Sequence, residues 1–227
     1  MKTSILTLHT CLVGTLHAVA ISALMAGDAH AGTFLTATID GDFSEWAGLT
    51  VLDSDPADNT GGVDIGNIKV ANDDNYLYIH YTHHTSSALS TFVAIDVDST
   101  VSTGFDIFGL GLVGAEAQWQ NDFPFTSSTG VFNNGFGMSG DYFGSGAALI
   151  APFGDATEHE LAISLNILFN ETSAPVFANN TFTILLWTDS AAGDVSSPIT
   201  YTLAVPEPRA LLLGVAGFAA CVGRRRR

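Results

Sequence analysis

The chain has 227 residues, 47% of them hydrophobic, with 23 acidic residues against seven basic ones and a formal charge of −16. A surface this acidic repels nucleic-acid phosphate and anionic lipid, which excludes nucleic acid as a partner. The apolar and aromatic content argues against the disorder that acidity alone would suggest.

In chain order, residues 1–31 read as a signal peptide. Lys2 gives the positive start, residues 12–26 form an apolar stretch broken by His17, and Ala29-His30-Ala31 is a small-x-small cleavage site before Gly32. Cys11 lies in this leader and Cys221 near the other end, so the body between them has no thiol and no disulfide chemistry. That body, residues 32–204, suits one domain with a real core. Without its two ends the chain keeps 21 of its acids but Lys69 as its single Lys or Arg, a formal charge of −20.

Within the body the elements read as β throughout. Residues 63–70, 76–82, 90–97, 115–120, 160–165, 182–188 and 199–203 are short runs rich in β-branched and aromatic residues, separated by Asp, Asn, Gly and Pro turns. No sustained helical period appears beyond a turn or two around Ile163 to Phe169. The expected fold is therefore all-β, an antiparallel two-sheet β-sandwich of jelly-roll or immunoglobulin-like kind, flanked by an N-terminal signal helix and a C-terminal membrane helix. Alternation in β strands directs Leu77, Ile79 and Tyr81 inward and Tyr76, Tyr78 and His80 outward. Residues 123–146, rich in Gly and Phe and without period, read as an extended loop or hairpin.

Several groups could carry chemistry. Asp96 and Asp98, at i and i+2 on one strand, point the same way, and Asp106 and Glu116 could complete an oxygen set of the kind Ca²⁺ prefers. The same aspartates would equally serve as caps of a turn. Asp53, Asp55, Asp58 and Asp64 form a second acidic group that reads as a solvated loop. Tyr76, Tyr78 and His80 make an outward stripe, suited to stacking on a sugar or to ordinary cross-strand pairing. Trp46, Trp119 and Trp187 read as core. His80, His83 and His84 do not converge on one face as zinc ligands would, and no nucleophile elbow, phosphate loop or His-Glu-x-x-His is present. The chain ends, over residues 205–227, with Pro206, Glu207 and Pro208, an uncharged apolar run at 210–223, and Arg224, Arg225, Arg226 and Arg227. The prolines stop the folded domain, the run is short for a spanning helix, and the arginines hold that end in the cytoplasm.

Two resemblances follow from these residues. The tail is similar to the PEP-CTERM sorting signal, which implies an exosortase-type processing enzyme as partner. It also implies transient inner-membrane residence through the C-terminal helix, then release to the cell surface or extracellular matrix. The body resembles family 9 carbohydrate-binding modules and DOMON-like sandwiches. The likeness lies in Ile39-Asp40-Gly41 with Glu45-Trp46, Val70-Ala71-Asn72-Asp73 with Leu77-Tyr78, Asp96 and Asp98 with Thr103-Gly104 and Gly114-Ala115-Glu116, and Glu160-Leu161-Ala162-Ile163-Ser164. It implies a sandwich, calcium at Asp96, Asp98, Asp106 and Glu116, and a non-catalytic module for polysaccharide. A structural matrix protein without a specific ligand is the rival reading, and a surface-glycan hydrolase the third.

Overall fold

The computed structural model describes residues 30–59, 62–87, 91–141, 143–188 and 193–206. Residues 1–29, the predicted membrane helix, Glu207, Pro208 and Arg224 to Arg227 lie outside them. Among the described residues no helix is long and apolar enough to cross a membrane.

In chain order the strands are β1 (His30–Ala31), β2 (Asp53–Ser54), β3 (Ile65–Asn72), β4 (Tyr76–Ser87), β5 (Thr91–Asp96), β6 (Phe105–Asp106), β7 (Gly114–Ala115), β8 (Ala117–Gln120), β9 (Phe123–Thr126), β10 (Met138–Ser139), β11 (Leu149–Ala151), β12 (Ala156–Ser164), β13 (Leu168–Phe169), β14 (Thr181–Thr188) and β15 (Ile199–Thr202). Short 3₁₀ turns occupy Phe43–Trp46 and Ile107–Gly109. One sheet runs β1-β15-β14-β5-β8-β9 and the other β11-β12-β4-β3-β2, with two small ladders beside them. Every named pairing is antiparallel except β1 with β15, where His30 and Ala31, just before the expected cleavage point, lie beside Tyr201 and Thr202.

The inner faces of the two sheets share one core. Ile65, Ile68, Leu77, Ile79, Tyr81, Leu161 and Ile163 meet Val93, Ile95, Trp119, Ile184, Leu186 and Tyr201, all buried. On β4, β5, β12 and β14 this is the inward set that period-two alternation requires, while a register irregularity between Ile65 and Ile68 on β3 lets both of these face the core. The outer faces are covered as well. Phe92, Ala94, Leu185 and Trp187 pack under Ile107, Val113 and Ala115. On the other sheet Ala71, Tyr78 and Ala162 pack under Ala37 and Trp46. Burial on both faces explains why β5 and most of β14 are buried residue after residue rather than alternately.

All seven predicted runs are strands. Residues 123–146 correct the sequence reading: β9 and β10 lie within them. Pro124 hides β9 from a pattern search, but β9 is a sheet edge, where a residue without an N–H is tolerated. Further on, Gly130, Gly135, Gly137 and Gly140 all have positive φ and break any period. Within the predicted run 115–120, Ala115 faces the outer cluster while Ala117 and Trp119 face the core.

Candidate functional site

The stripe predicted on β4 is not at the surface. Tyr78 is 3% exposed, His80 2%, and Tyr76 is half-buried. The segment from Leu35 to Leu49 lies across them, stacking Trp46 on His80 at 5.1 Å with Phe43 edge-on at 5.4 Å. Alternation told which side these residues face, not what covers that side. Asp73 fixes Tyr78, accepting its hydroxyl at 2.8 Å. Burial would raise the Asp73 carboxyl, but hydrogen bonds from Asn75, Tyr78 and Tyr76 outweigh it and hold it below its usual range.

Glu160 anchors the covering segment. It is fully buried; its Oε1 accepts the backbone N–H of Asp40 at 2.9 Å and of Gly41 at 2.7 Å, and its Oε2 accepts Trp46 Nε1–H at 3.0 Å. Gly41 holds φ at +84°, a conformation open to glycine, so that two successive N–H groups face one carboxylate. Lys69 donates to the Trp46 carbonyl at 2.8 Å. The Asp40-Gly41 and Trp46 signature and the late Glu160 are thus two halves of one structural clasp. His80, His83 and His84 take separate partners: His80 bonds Glu158 at 2.6 Å, His83 bonds Thr91 at 2.8 Å and meets the His159 ring edge-on at 5.4 Å, and His84 bonds the Asp55 carbonyl at 2.9 Å.

Three of the four predicted metal ligands do converge. Carboxylate oxygens of Asp96, Asp98 and Glu116 lie within 4.8 Å of one another. Asp96 accepts Thr100 N–H at 3.0 Å and Gly114 N–H at 3.1 Å, Asp98 accepts Thr100 N–H at 2.9 Å, and Glu116 Oε2 accepts Val97 N–H at 3.0 Å. Glu116 Oε1 is shut off from water with no partner. Burial, with Asp96 and Asp98 adding repulsion, pushes the Glu116 carboxyl up to about 7, and burial raises Asp96 as well. Asp106 does not join them. Its carboxylate takes Gly111 N–H at 2.8 Å and lines a different feature, so that prediction is corrected. Neither aspartate spacing nor turn chemistry distinguishes residue 106 in sequence.

That other feature is an aromatic groove of about 510 Å³ on the outer face of the six-stranded sheet. Trp187 forms its floor, stacked on Phe92 at 4.0 Å and 17° and held by Nε1–H donating to Gln118 at 3.1 Å. Phe108 and Phe132 stand edge-on over Trp187 at 5.4 and 5.7 Å, and Phe105 meets Phe132 at 5.3 Å. Phe108 is 54% exposed and Phe132 40%. Phe108 also has φ +52°, a left-handed conformation costly for a bulky residue, just ahead of Gly109 and Gly111, which have positive φ as well. Gly193 makes room for it, since a Cβ there would sit 3.1 Å from the Phe108 ring. Among the described lining residues Asp106 is the one carboxylate, at the rim. The groove escapes sequence reading because its rings come from residues 105, 108, 132 and 187.

The geometry therefore defines, among the described residues, two facing and largely antiparallel β-sheets bearing an aromatic groove and a carboxylate cluster. Among solved structures it is similar to a family 9 carbohydrate-binding module from Caldicellulosiruptor kristjanssonii in complex with glucose, at 12% identity and TM-score 0.44 over 79% of this chain and 98% of that one. It is similar also to a family 9 module from the same organism in complex with cellotriose, at 11% identity and TM-score 0.42 over 78% and 95%. No protein-family model matches the chain, and no curated protein does.

Proposed function

We propose that the protein is an exported, non-catalytic module of the cell surface or extracellular matrix that binds neutral polysaccharide in the groove over Trp187. The observation that carries this reading is the exposure of Phe108 and Phe132 above a buried tryptophan, with Phe108 held in a costly backbone conformation. Sugar C–H faces stack on such rings, and a rim carboxylate can accept their hydroxyls. The body's formal charge of −20 favours neutral over anionic polymers. A glycosidase needs two carboxyls flanking the bond, and among the described residues the groove offers Asp106 alone. Affinity electrophoresis through gels containing neutral glucans tests the reading. Phe108→Ala with Phe132→Ala is expected to weaken retardation about tenfold, equal to 1.4 kcal/mol; equal retardation of the two proteins would refute it.

Calcium is part of this proposal. Asp96, Asp98 and Glu116 suit a hard cation, because the unpartnered Glu116 Oε1 and the mutual repulsion of three carboxylates both call for one. Bound there, the ion would supply charge neutralisation and hold residues 98–104 against Gly114. Export rests on the leader and on the Pro206-Glu207-Pro208 tail, which an exosortase-type enzyme would cut. Mass spectrometry of surface-released protein should find a terminus near residues 206–208, and an intact Arg227 end would count against the sorting step.

A further inference from the structure

We propose a second sugar-binding site, smaller than the groove and sharing no lining residue with it, in a cavity of about 180 Å³ between the loop after β9 and the turn after β13. The site deepens the glycan-binding reading and rests on it for the class of ligand. Its occupant is a single neutral sugar ring at a chain end or branch, where the groove takes a chain.

The β10–β13 ladder, with Met138 opposite Phe169 and Ser139 opposite Leu168, brings the two walls together. Thr126, Ser127, Asn134 and Phe136 form one wall, Phe169 and Glu171 the other. Hydrogen bonds hold the first wall in shape. Asn134 N–H donates to Thr126 O at 2.8 Å, Gly137 N–H to Thr126 Oγ1 at 3.3 Å, and Asn170 Nδ2–H to Phe136 O at 3.3 Å. Gly135 and Gly137, with φ of +83° and +68°, turn the chain on either side of Phe136. The Phe136 ring is 50% exposed although its own N–H and C=O are both tied down, so a contact made through it costs little ordering.

Two polar groups of this wall have hydrogen-bonding capacity that the protein does not use. Ser127 is 5% exposed, and its Oγ accepts Gln118 Nε2–H at 2.9 Å and Asn133 N–H at 3.2 Å. Both of its lone pairs are filled, and no acceptor among the described residues takes its proton. Asn134 Oδ1 accepts the Thr126 hydroxyl at 2.5 Å and Phe136 N–H at 3.2 Å. A backbone N–H can only donate, which fixes the oxygen of this amide and leaves its NH₂ without a partner among the described residues. Glu171, exposed at the rim, supplies acceptors. Glu116 also lines the cavity but is spoken for: Oε2 takes Val97 N–H and Oε1 is shut off from solvent.

Donors in the wall, a carboxylate at the rim and one phenyl ring from each side suit a ligand that accepts and donates through adjacent groups and presents C–H faces. A sugar ring has that chemistry. Two glutamates, with no Lys, Arg or His among the described lining residues, turn away an anion. The volume, about 180 Å³ against about 510 Å³ for the groove, admits one ring and not a chain.

The test is an NMR titration of the full chain carrying Phe108→Ala, which strips the groove of its most exposed ring, with the methyl glycosides of glucose, galactose, mannose and xylose. At least one glycoside should give saturable shifts of the Asn134 side-chain NH₂ and the Phe136 ring. Adding Asn134→Asp keeps an acceptor for Thr126 and Phe136 but removes the NH₂ donors, and should weaken binding at least tenfold with Tm unchanged. Phe136→Ala should do the same. The inference is overturned if no glycoside moves these signals, if they move only when Phe108 is present, or if neither substitution changes Kd. Retardation in glucan gels that depends on Phe108 and Phe132, with Asn134 unmoved, would leave the groove standing and refute this site; the converse pattern would refute the groove and leave this site.

Discussion

Removing the Glu160 carboxylate should unfasten the segment that covers the five-stranded sheet. Glu160→Ala strips the acceptor from three donors, the Asp40 and Gly41 amides and the Trp46 indole, at 2.9, 2.7 and 3.0 Å. Each hydrogen bond to a charged group contributes about 1.5–3 kcal/mol, but the freed amides recover water when the segment lifts, so the losses do not sum. A net cost of about 4 kcal/mol follows, in the range seen when a buried charge network loses one member. For a domain of this size that is a fall in Tm of about 8–16 °C. Trp46→Phe keeps the ring over His80 and removes one donor, so it should cost less, about 1–2 kcal/mol. Urea denaturation of the three proteins gives the comparison. A Glu160→Ala protein within about 1 kcal/mol of the unmutated one would show that the clasp holds nothing. Binding at the groove, on the outer face of the other sheet, should survive the change.

Four further outcomes are expected. Phe108→Gly relieves a left-handed backbone strain of about 1–3 kcal/mol, so its denaturation midpoint should stay near the original while polysaccharide retardation falls. Gly114→Ala would place a Cβ 1.8 Å from Thr103 O and 2.7 Å from Thr100 O, and should cost about 3 kcal/mol in a denaturation curve and abolish any Ca²⁺-dependent gain in Tm. Chelation of the unmutated protein should lower Tm, since Ca²⁺ at a hundred times its Kd contributes about 2.7 kcal/mol; an unchanged Tm would contradict the cation site at Asp96, Asp98 and Glu116. His83, pushed down to about 4 by burial and then by His159 and His84, takes up its proton more readily when unfolded. Its contribution, on the order of 3 kcal/mol, should be complete above pH 6.5 and lost as pH falls toward 4; acid titration of stability in a His83→Leu protein should show that loss removed.

Much of the fold was legible because two-residue periodicity reports strand faces directly. Leu77, Ile79 and Tyr81 face the core as alternation required, and Trp46, Trp119 and Trp187 are buried. Asp96 and Asp98 could be paired from their i and i+2 spacing, and Glu116 follows on the neighbouring hairpin arm. What periodicity cannot report is a third layer. Tyr78 and His80 are outward and yet buried, because residues 35–49 cross their face under the hold of a glutamate more than a hundred positions away. The groove was illegible for a related reason: Phe108 meets Trp187 through loops whose return paths no local pattern encodes. Asp106 was misplaced because an acid in a glycine-rich loop looks alike whichever way the loop turns.

The most direct measurement is an NMR titration of the isotopically labelled protein with a neutral oligosaccharide, following the Trp46, Trp119 and Trp187 indole signals and the aromatic resonances together. The account predicts saturable shifts at Trp187, Phe108 and Phe132, with Trp46 and Tyr78 unmoved. Shifts centred on Trp46, Tyr76 and Tyr78 instead, or none with any neutral sugar, would contradict it.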